Sequence, residues 1–93
     1  MSKVKAVPDG YSTVTPLLNV KGAAEAIDFY KHAFGAEERS RMPGPNGAIM
    51  HCELRIGNSV VMLSDAMVNP PTQSSLHLYV EDADALWKQA TEA

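Results

Sequence analysis

Side chains able to bind a metal ion or a polar ligand stand at alternate positions within apolar stretches of this 93-residue chain. His51 and Glu53 are two residues apart in the segment AIMHCELRI, and His77 lies in the segment SLHLYV. Neutral imidazole and carboxylate groups suit zinc, nickel, iron or manganese. These three residues could therefore hold a divalent metal. Alternatively, the two histidines form hydrogen bonds in a pocket or are partly buried structural residues.

The segment 48–65 is predicted to form a β-hairpin, which determines the side chains that share a face. Two apolar-rich runs flank Gly57-Asn58, a pair suited to a two-residue turn. Because faces alternate along a strand, the resulting register puts four apolar side chains on one face: Leu54, Val61, Cys52 and Leu63. The other face mixes polar and apolar groups and carries His51, Glu53, Arg55, Val60, Met62 and Ser64.

The elements before the hairpin follow from residue spacing. Alternating β-branched residues predict a strand over 13–20, with Pro16 near its start or at an unpaired edge position. Apolar residues at helical spacing predict a helix over 23–34, which ends because Gly35 provides a left-handed cap. The charged segment 36–42 is predicted to be a short edge strand.

A second β-α start follows the hairpin. The segment 75–80 alternates as a strand that would direct His77 and Tyr79 toward the mixed face, and Asp82 is a good N-cap for a helix. The order βαβββ, then βα, indicates a weak internal repeat with an incomplete second unit. We therefore expect a tail (1–12), a first module (13–65), a linker (66–74) and the start of a second module (75–93).

The mixed face is the candidate site. A curved mixed sheet with helices on its outer side would turn this face inward and form a cavity for a small organic molecule. The side chains expected to face the cavity are Thr15, Asn19, His51, Glu53, Met62, Ser64, His77 and Tyr79. The same face could instead be solvated or form a dimer contact.

Composition argues against several functional classes. The net charge is −3, with 8 basic and 11 acidic residues, and no basic cluster that would bind nucleic acid is present. The single cysteine excludes an intrachain disulfide. No apolar run approaches the roughly 18 residues of a membrane span, and the N-terminus has no secretory signal. We expect a soluble cytoplasmic protein.

Three segments of the sequence resemble a known superfamily: VTPLLNVKGAAEAIDFYKHAFGAEE, RMPGPNGAIMHCELRIGNSVVMLSD and SLHLYVEDADALWKQA. They are similar to the glyoxalase, bleomycin-resistance and extradiol-dioxygenase (vicinal oxygen chelate) superfamily, and within it to the PhnB-like branch. The resemblance covers Thr13 to Ala93. It implies paired βαβββ modules around a central cavity, which often holds a divalent metal.

The resemblance also implies ligand positions for that metal. They fall on Thr15 in the first strand, on Met62 or Ser64 in the fourth, on His77, and on a last strand that we expect to be missing from this chain. Only His77 carries a side chain of the expected type. A substitute metal site would add His51 and Glu53 to His77.

The resemblance implies a small-molecule-binding protein whose cavity is completed by a second chain in a homodimer. The alternative is a metal-dependent lyase, isomerase or dioxygenase of the same superfamily, in which the metal polarises a substrate oxygen. A third interpretation is an incomplete domain without activity of its own.

Overall fold

A computed structural model describes residues 6–66, 70–71 and 73–93; parts of the predicted tail (1–5) and linker (67–69 and 72) lie outside these described residues. The elements are β1 (Leu17–Val20), α1 (Ala23–Phe34), β2 (Glu37–Pro43), a 3-10 turn (Pro45–Gly47), β3 (Ile49–Ile56), β4 (Ser59–Asp65) and α2 (Ala83–Glu92). The four strands form one mixed sheet in the order β1-β4-β3-β2, with β1 parallel to β4. The predicted α+β class and βαβββ order are confirmed.

The hairpin register is the one expected from its turn. Cys52 pairs with Leu63 and Leu54 with Val61 across the antiparallel β3–β4 pair. These side chains are buried, together with Ile27 from α1, in the hydrophobic core between the helix and the sheet. The predicted apolar face of the hairpin is therefore the face that packs on α1.

The first strand is shorter than predicted. It begins at Leu17 rather than at residue 13, because Pro16 has no N–H to give to a ladder. The carbonyl oxygen of Pro16 still accepts a hydrogen bond of 2.9 Å from the Met62 amide. Pro16 therefore marks the start of the pairing between β1 and β4.

A single carboxylate connects three elements at the end of β4. Asp65 Oδ1 accepts hydrogen bonds from the amides of Gly22 (3.1 Å) and Ala23 (2.9 Å) at the start of α1. Its Oδ2 accepts a 2.7 Å bond from the amide of Ile49 in β3. The bonds from Ala23 and then Ile49 are the main reason that the pKa of Asp65 lies below its usual value.

The charged segment forms the edge strand β2, as predicted. Glu38 bonds to Arg41 on the same strand and to Lys31 on α1, each at 2.8 Å. The bonds from Arg41 and then Lys31 lower the pKa of Glu38 to about 2. These charges discourage pairing at the open edge of the sheet.

The prediction of a strand over 75–80 is wrong for this chain. Residues 73–80 form neither helix nor strand. A strand needs a neighbour for its backbone hydrogen bonds, and neither edge of the described sheet pairs with this segment. Its residue Tyr79 is consequently 92% exposed.

The second helix begins where the sequence predicts. Asp82 Oδ1 accepts a 3.0 Å bond from the Ala85 amide, and the helix rests on α1 through a bond from Gln89 Nε2 to the His32 carbonyl. Trp87 of this helix is 70% exposed. Within the residues that the structure covers, neither helix is long and apolar enough to cross a membrane.

Replacing Gly35 with alanine is expected to lower the free energy of unfolding by about 1 kcal/mol. Gly35 ends α1 with φ 67° and ψ 29°, and its N–H donates to the Lys31 carbonyl. A Cβ at this position would meet nothing within 4 Å, so the cost comes from the left-handed backbone alone. Urea denaturation measures the decrease in the free energy of unfolding. Gly35→Asn is the control, since asparagine tolerates this conformation. An equal decrease in both variants would contradict the explanation.

Candidate functional site

The face of the sheet opposite α1 collects most of the predicted site residues. Asn19 lies opposite Ser64 and Leu17 opposite Met62 across β1 and β4, and Met62 lies opposite Glu53 across β4 and β3. Because neighbours along each strand point toward α1, these side chains point away from it. We call this surface the polar face: Leu17, Asn19, His51, Glu53, Met62 and Ser64.

Glu53 is the centre of a hydrogen-bonded group on the polar face. Its Oε2 lies 3.2 Å from His51 Nε2, and its Oε1 accepts a hydrogen bond from the Tyr11 hydroxyl. The Glu53 side chain is 16% exposed, whereas that of His51 is 35% exposed. The bond from Tyr11, and secondly that from His51, hold the pKa of Glu53 below its usual value. Glu53 is therefore an ionised hydrogen-bond acceptor at neutral pH.

A second polar pair lies on the same face. Ser64 Oγ donates a hydrogen bond of 2.8 Å to Asn19 Oδ1. This bond leaves the amide NH2 group of Asn19 able to donate to a ligand. Thr15, in contrast, donates to the backbone carbonyl of Ser12 at 3.4 Å, so its hydroxyl is engaged within the segment that precedes β1.

His77 and Tyr79 lie elsewhere. Their rings contact each other, with centroids 4.8 Å apart. Both line a cleft of about 520 Å³ between the segment 76–80 and the β3–β4 turn. The other walls of this cleft are mainly apolar and include Val14, Pro16, Phe34, Ile56, Val60 and Leu86. The expected convergence of these two residues with His51 and Glu53 therefore fails, because the strand that would have aligned them does not form.

The metal prediction can be compared with the side chains present. Among the described residues, no three His, Cys, Asp or Glu side chains lie close enough together to hold an ion. His51 and Glu53 are neighbours, but His77 does not join them. Such metal sites have at least three protein ligands as a rule, so the described residues of one chain do not by themselves form a site of this kind.

Two residues near the site escaped the sequence-based prediction. Tyr11 falls in the predicted tail, and Arg39 falls in the charged segment 36–42, which is predicted only as an edge strand. Arg39 is the extra residue of a β-bulge, where the register with β3 shifts between Glu38 and Ser40, and its guanidinium carbon lies 5.4 Å from the Tyr11 ring centroid. The turn PDGY was the available signal, since a bond from the Tyr11 amide to the Pro8 carbonyl closes it.

Comparison with known proteins assigns the βαβββ part of the chain to a protein family. Residues 17–66 match the family described as glyoxalase At5g48480-like, N-terminal domain. The chain is 40% identical over 92 positions to the uncharacterised proteins Mb0911c of Mycobacterium bovis and Rv0887c of Mycobacterium tuberculosis. These matches cover 86% of this chain, but 60% of the first relative and 54% of the second. The chain thus spans between half and two thirds of the length of these relatives.

A solved structure has a similar fold. The crystal structure of TioX from Micromonospora sp. ML1 superposes with a TM-score of 0.61 and covers 87% of this chain and 69% of TioX. The two sequences are 24% identical. At this identity the similarity establishes the fold and leaves the chemistry of the site to be argued from its own residues.

Proposed function

This chain belongs to the glyoxalase At5g48480-like family, within the glyoxalase (vicinal oxygen chelate) superfamily, and on that premise we propose that it binds a small organic molecule on the polar face. The observation that carries the proposal is Glu53, an ionised acceptor whose side chain is 16% exposed on a sheet face away from the core. α1 packs on the other face of the sheet, and α2 packs chiefly on α1. The polar face is therefore where a ligand can reach hydrogen-bonding groups.

The residues of the polar face suit a molecule with an apolar body and a few polar groups. Leu17 is 55% exposed, and the half-buried Met62 lies beside it, so both offer apolar contact. Glu53 would accept a hydrogen bond from the ligand, and the Asn19 amide would donate one. Small-molecule sites typically combine an apolar lining with a few such convergent polar groups.

We further propose that a second copy of the chain completes the cavity. Residues 75–80 have the alternation of a strand but pair with none of the described strands, and β1 is an edge strand of the described sheet. Strand pairing between two copies would give both the segment 75–80 and β1 a partner, and two-fold symmetry would then bring two polar faces into one assembly.

The order of the three segments that resemble the superfamily also supports placement in its PhnB-like branch.

The binding proposal is tested by screening small organic compounds against the purified chain and measuring their affinities by calorimetry. For compounds that bind, Glu53→Gln is expected to weaken the affinity about tenfold, since a hydrogen bond to a charged acceptor is replaced by a weaker one to a neutral amide oxygen. Arg55→Gln is the matched control, because Arg55 lies on the same strand but bonds to the Gly57 carbonyl. Equal effects of the two substitutions would contradict the proposed site.

The oligomeric part of the proposal has a separate test. Sedimentation equilibrium is expected to give the mass of a dimer at micromolar concentration. Leu76→Lys, in the segment 75–80, is expected to shift the equilibrium toward monomer. A chain that remains monomeric at every concentration would remove the second copy from the proposal, while leaving the ligand test unaffected.

A further inference from the structure

The N-terminal segment places one aromatic side chain on the polar face. The Tyr11 hydroxyl donates to Glu53 Oε1, and the Arg39 guanidinium lies over the Tyr11 ring at 5.4 Å. Two groups from different strands thus hold a phenol: a carboxylate at its hydroxyl and a cation on its face. The bond to Glu53 is also the main reason that the pKa of Tyr11 is raised, so the phenol remains protonated and able to donate.

The contact between Tyr11 and Glu53 lies outside the buried core of the fold. None of the described residues before β1 (6–16) belongs to the buried core cluster. The contacts of this segment near Tyr11 include the turn bond from the Tyr11 amide to the Pro8 carbonyl and the approach of Gly10 to Arg39. The Tyr11 side chain can therefore leave Glu53 without unpacking the core.

We propose that Glu53 and Arg39 form a subsite for a flat ring bearing a hydroxyl group, which Tyr11 occupies in the free chain and the ligand takes over on binding. The inference deepens the proposed function, on which it rests, by naming the chemical class that the polar face recognises. Tyr11 then has two roles: it bonds to Glu53 in the free chain, and it competes with the ligand for this carboxylate. Its displacement would free Glu53 to accept the hydroxyl of the ligand.

The charges of Glu53 and Arg39 restrict the chemical class of ligand that this subsite can bind. A carboxylate ligand in place of the Tyr11 hydroxyl would face the ionised Glu53 at hydrogen-bonding distance, which is repulsive. A cationic ring would face the positively charged guanidinium of Arg39, which is also repulsive. A neutral ring avoids both conflicts, because its face attracts the cation and its hydroxyl donates to the carboxylate. An aromatic alcohol of the phenol type meets these conditions.

The test uses 4-methylphenol, which is the tyrosine side chain as a free molecule, and toluene, which lacks the hydroxyl. Both are titrated into the wild-type chain and the Tyr11→Ala variant, with amide chemical shifts as the readout. In the variant, 4-methylphenol is expected to bind about tenfold more tightly than in the wild type, because the internal competitor is gone. It should also bind about tenfold more tightly than toluene, because toluene cannot bond to Glu53.

The double variant Tyr11→Ala/Glu53→Gln identifies the acceptor, since it is expected to reduce the preference for 4-methylphenol over toluene. Circular dichroism checks that each variant is folded, and Tyr11→Leu replaces Tyr11→Ala if the alanine variant is not. Equal affinities for the two probes in the folded variant, or affinities unchanged from the wild type, would overturn the inference. That outcome differs from failure of the proposed function, in which Glu53→Gln leaves the affinities of the screened compounds unchanged.

Discussion

Replacing Asp65 with alanine is expected to lower the free energy of unfolding by about 3 kcal/mol, because three backbone amides lose a charged acceptor. The amides of Gly22 and Ala23 begin α1, and that of Ile49 begins β3. Each bond to a charged group contributes about 1.5–3 kcal/mol, and water can partly replace the lost bonds at this half-buried site. Urea denaturation measures the loss.

Two control substitutions separate this effect from ordinary helix capping. Asp82→Ala removes a carboxylate that accepts from one amide of the exposed helix α2, and it should cost about 1 kcal/mol. Asp65→Asn keeps one acceptor oxygen and should fall between wild type and Asp65→Ala. If Asp65→Ala costs no more than Asp82→Ala, Asp65 does not connect the three elements as described.

The stabilisation from Asp65 also has a defined pH dependence. Its folded-state pKa is depressed below the unfolded value, so the contribution is fully present above the unfolded pKa of about 3.9. It is lost as the pH falls through the lower, folded-state pKa. The difference in unfolding free energy between wild type and Asp65→Asn should therefore shrink as the pH falls below about 4. Other carboxylates with lowered pKa, such as Glu38, contribute to both proteins and cancel in this difference.

Replacing Leu63 with alanine is expected to destabilise the protein by about 2–5 kcal/mol, the range for a fully buried leucine. Leu63 is 0% exposed and packs in the core beneath α1. Its neighbour Met62 points to the polar face and is half-buried, so Met62→Ala should cost about 1 kcal/mol or less. Chemical denaturation of both variants, with unchanged m values, makes the comparison.

This pair of substitutions tests the assignment of the two sheet faces. A one-residue error in register would exchange the faces of every side chain on β4. Met62→Ala would then be the more damaging substitution, and the polar face would be part of the core. The proposed ligand site depends on the opposite result.

Local rules account for the parts of the fold that the sequence predicts well. The bounds of α1 follow from apolar spacing and Gly35, and the hairpin register follows from the two-residue turn at Gly57-Asn58. Each involves residues close together in sequence. The positions of Asn19, His51, Glu53, Met62 and Ser64 on one face follow from that register and from strand alternation.

The rest of the fold and of the candidate site depends on contacts between residues that are far apart in the sequence. The bonds from Tyr11 to Glu53 and from Gly22 to Asp65 join residues 42 and 43 positions apart, and no short pattern encodes them. The segment 75–80 shows that a local pattern can also mislead. Its residues alternate as in a strand, but a strand forms only when a neighbouring strand pairs with it. The prediction of His77 and Tyr79 at the site depends on that strand; without it, both residues line the cleft.

The most direct test of ligand binding on the polar face is a chemical-shift map. The isotope-labelled chain is titrated with each compound that binds in the screen, and amide shifts are compared between the polar face and the cleft. Binding on the polar face predicts the largest changes at Asn19, His51, Glu53 and Ser64, with small changes over 76–80. Changes confined to 76–80 and the β3–β4 turn, with His51 and Glu53 unaffected, would contradict it.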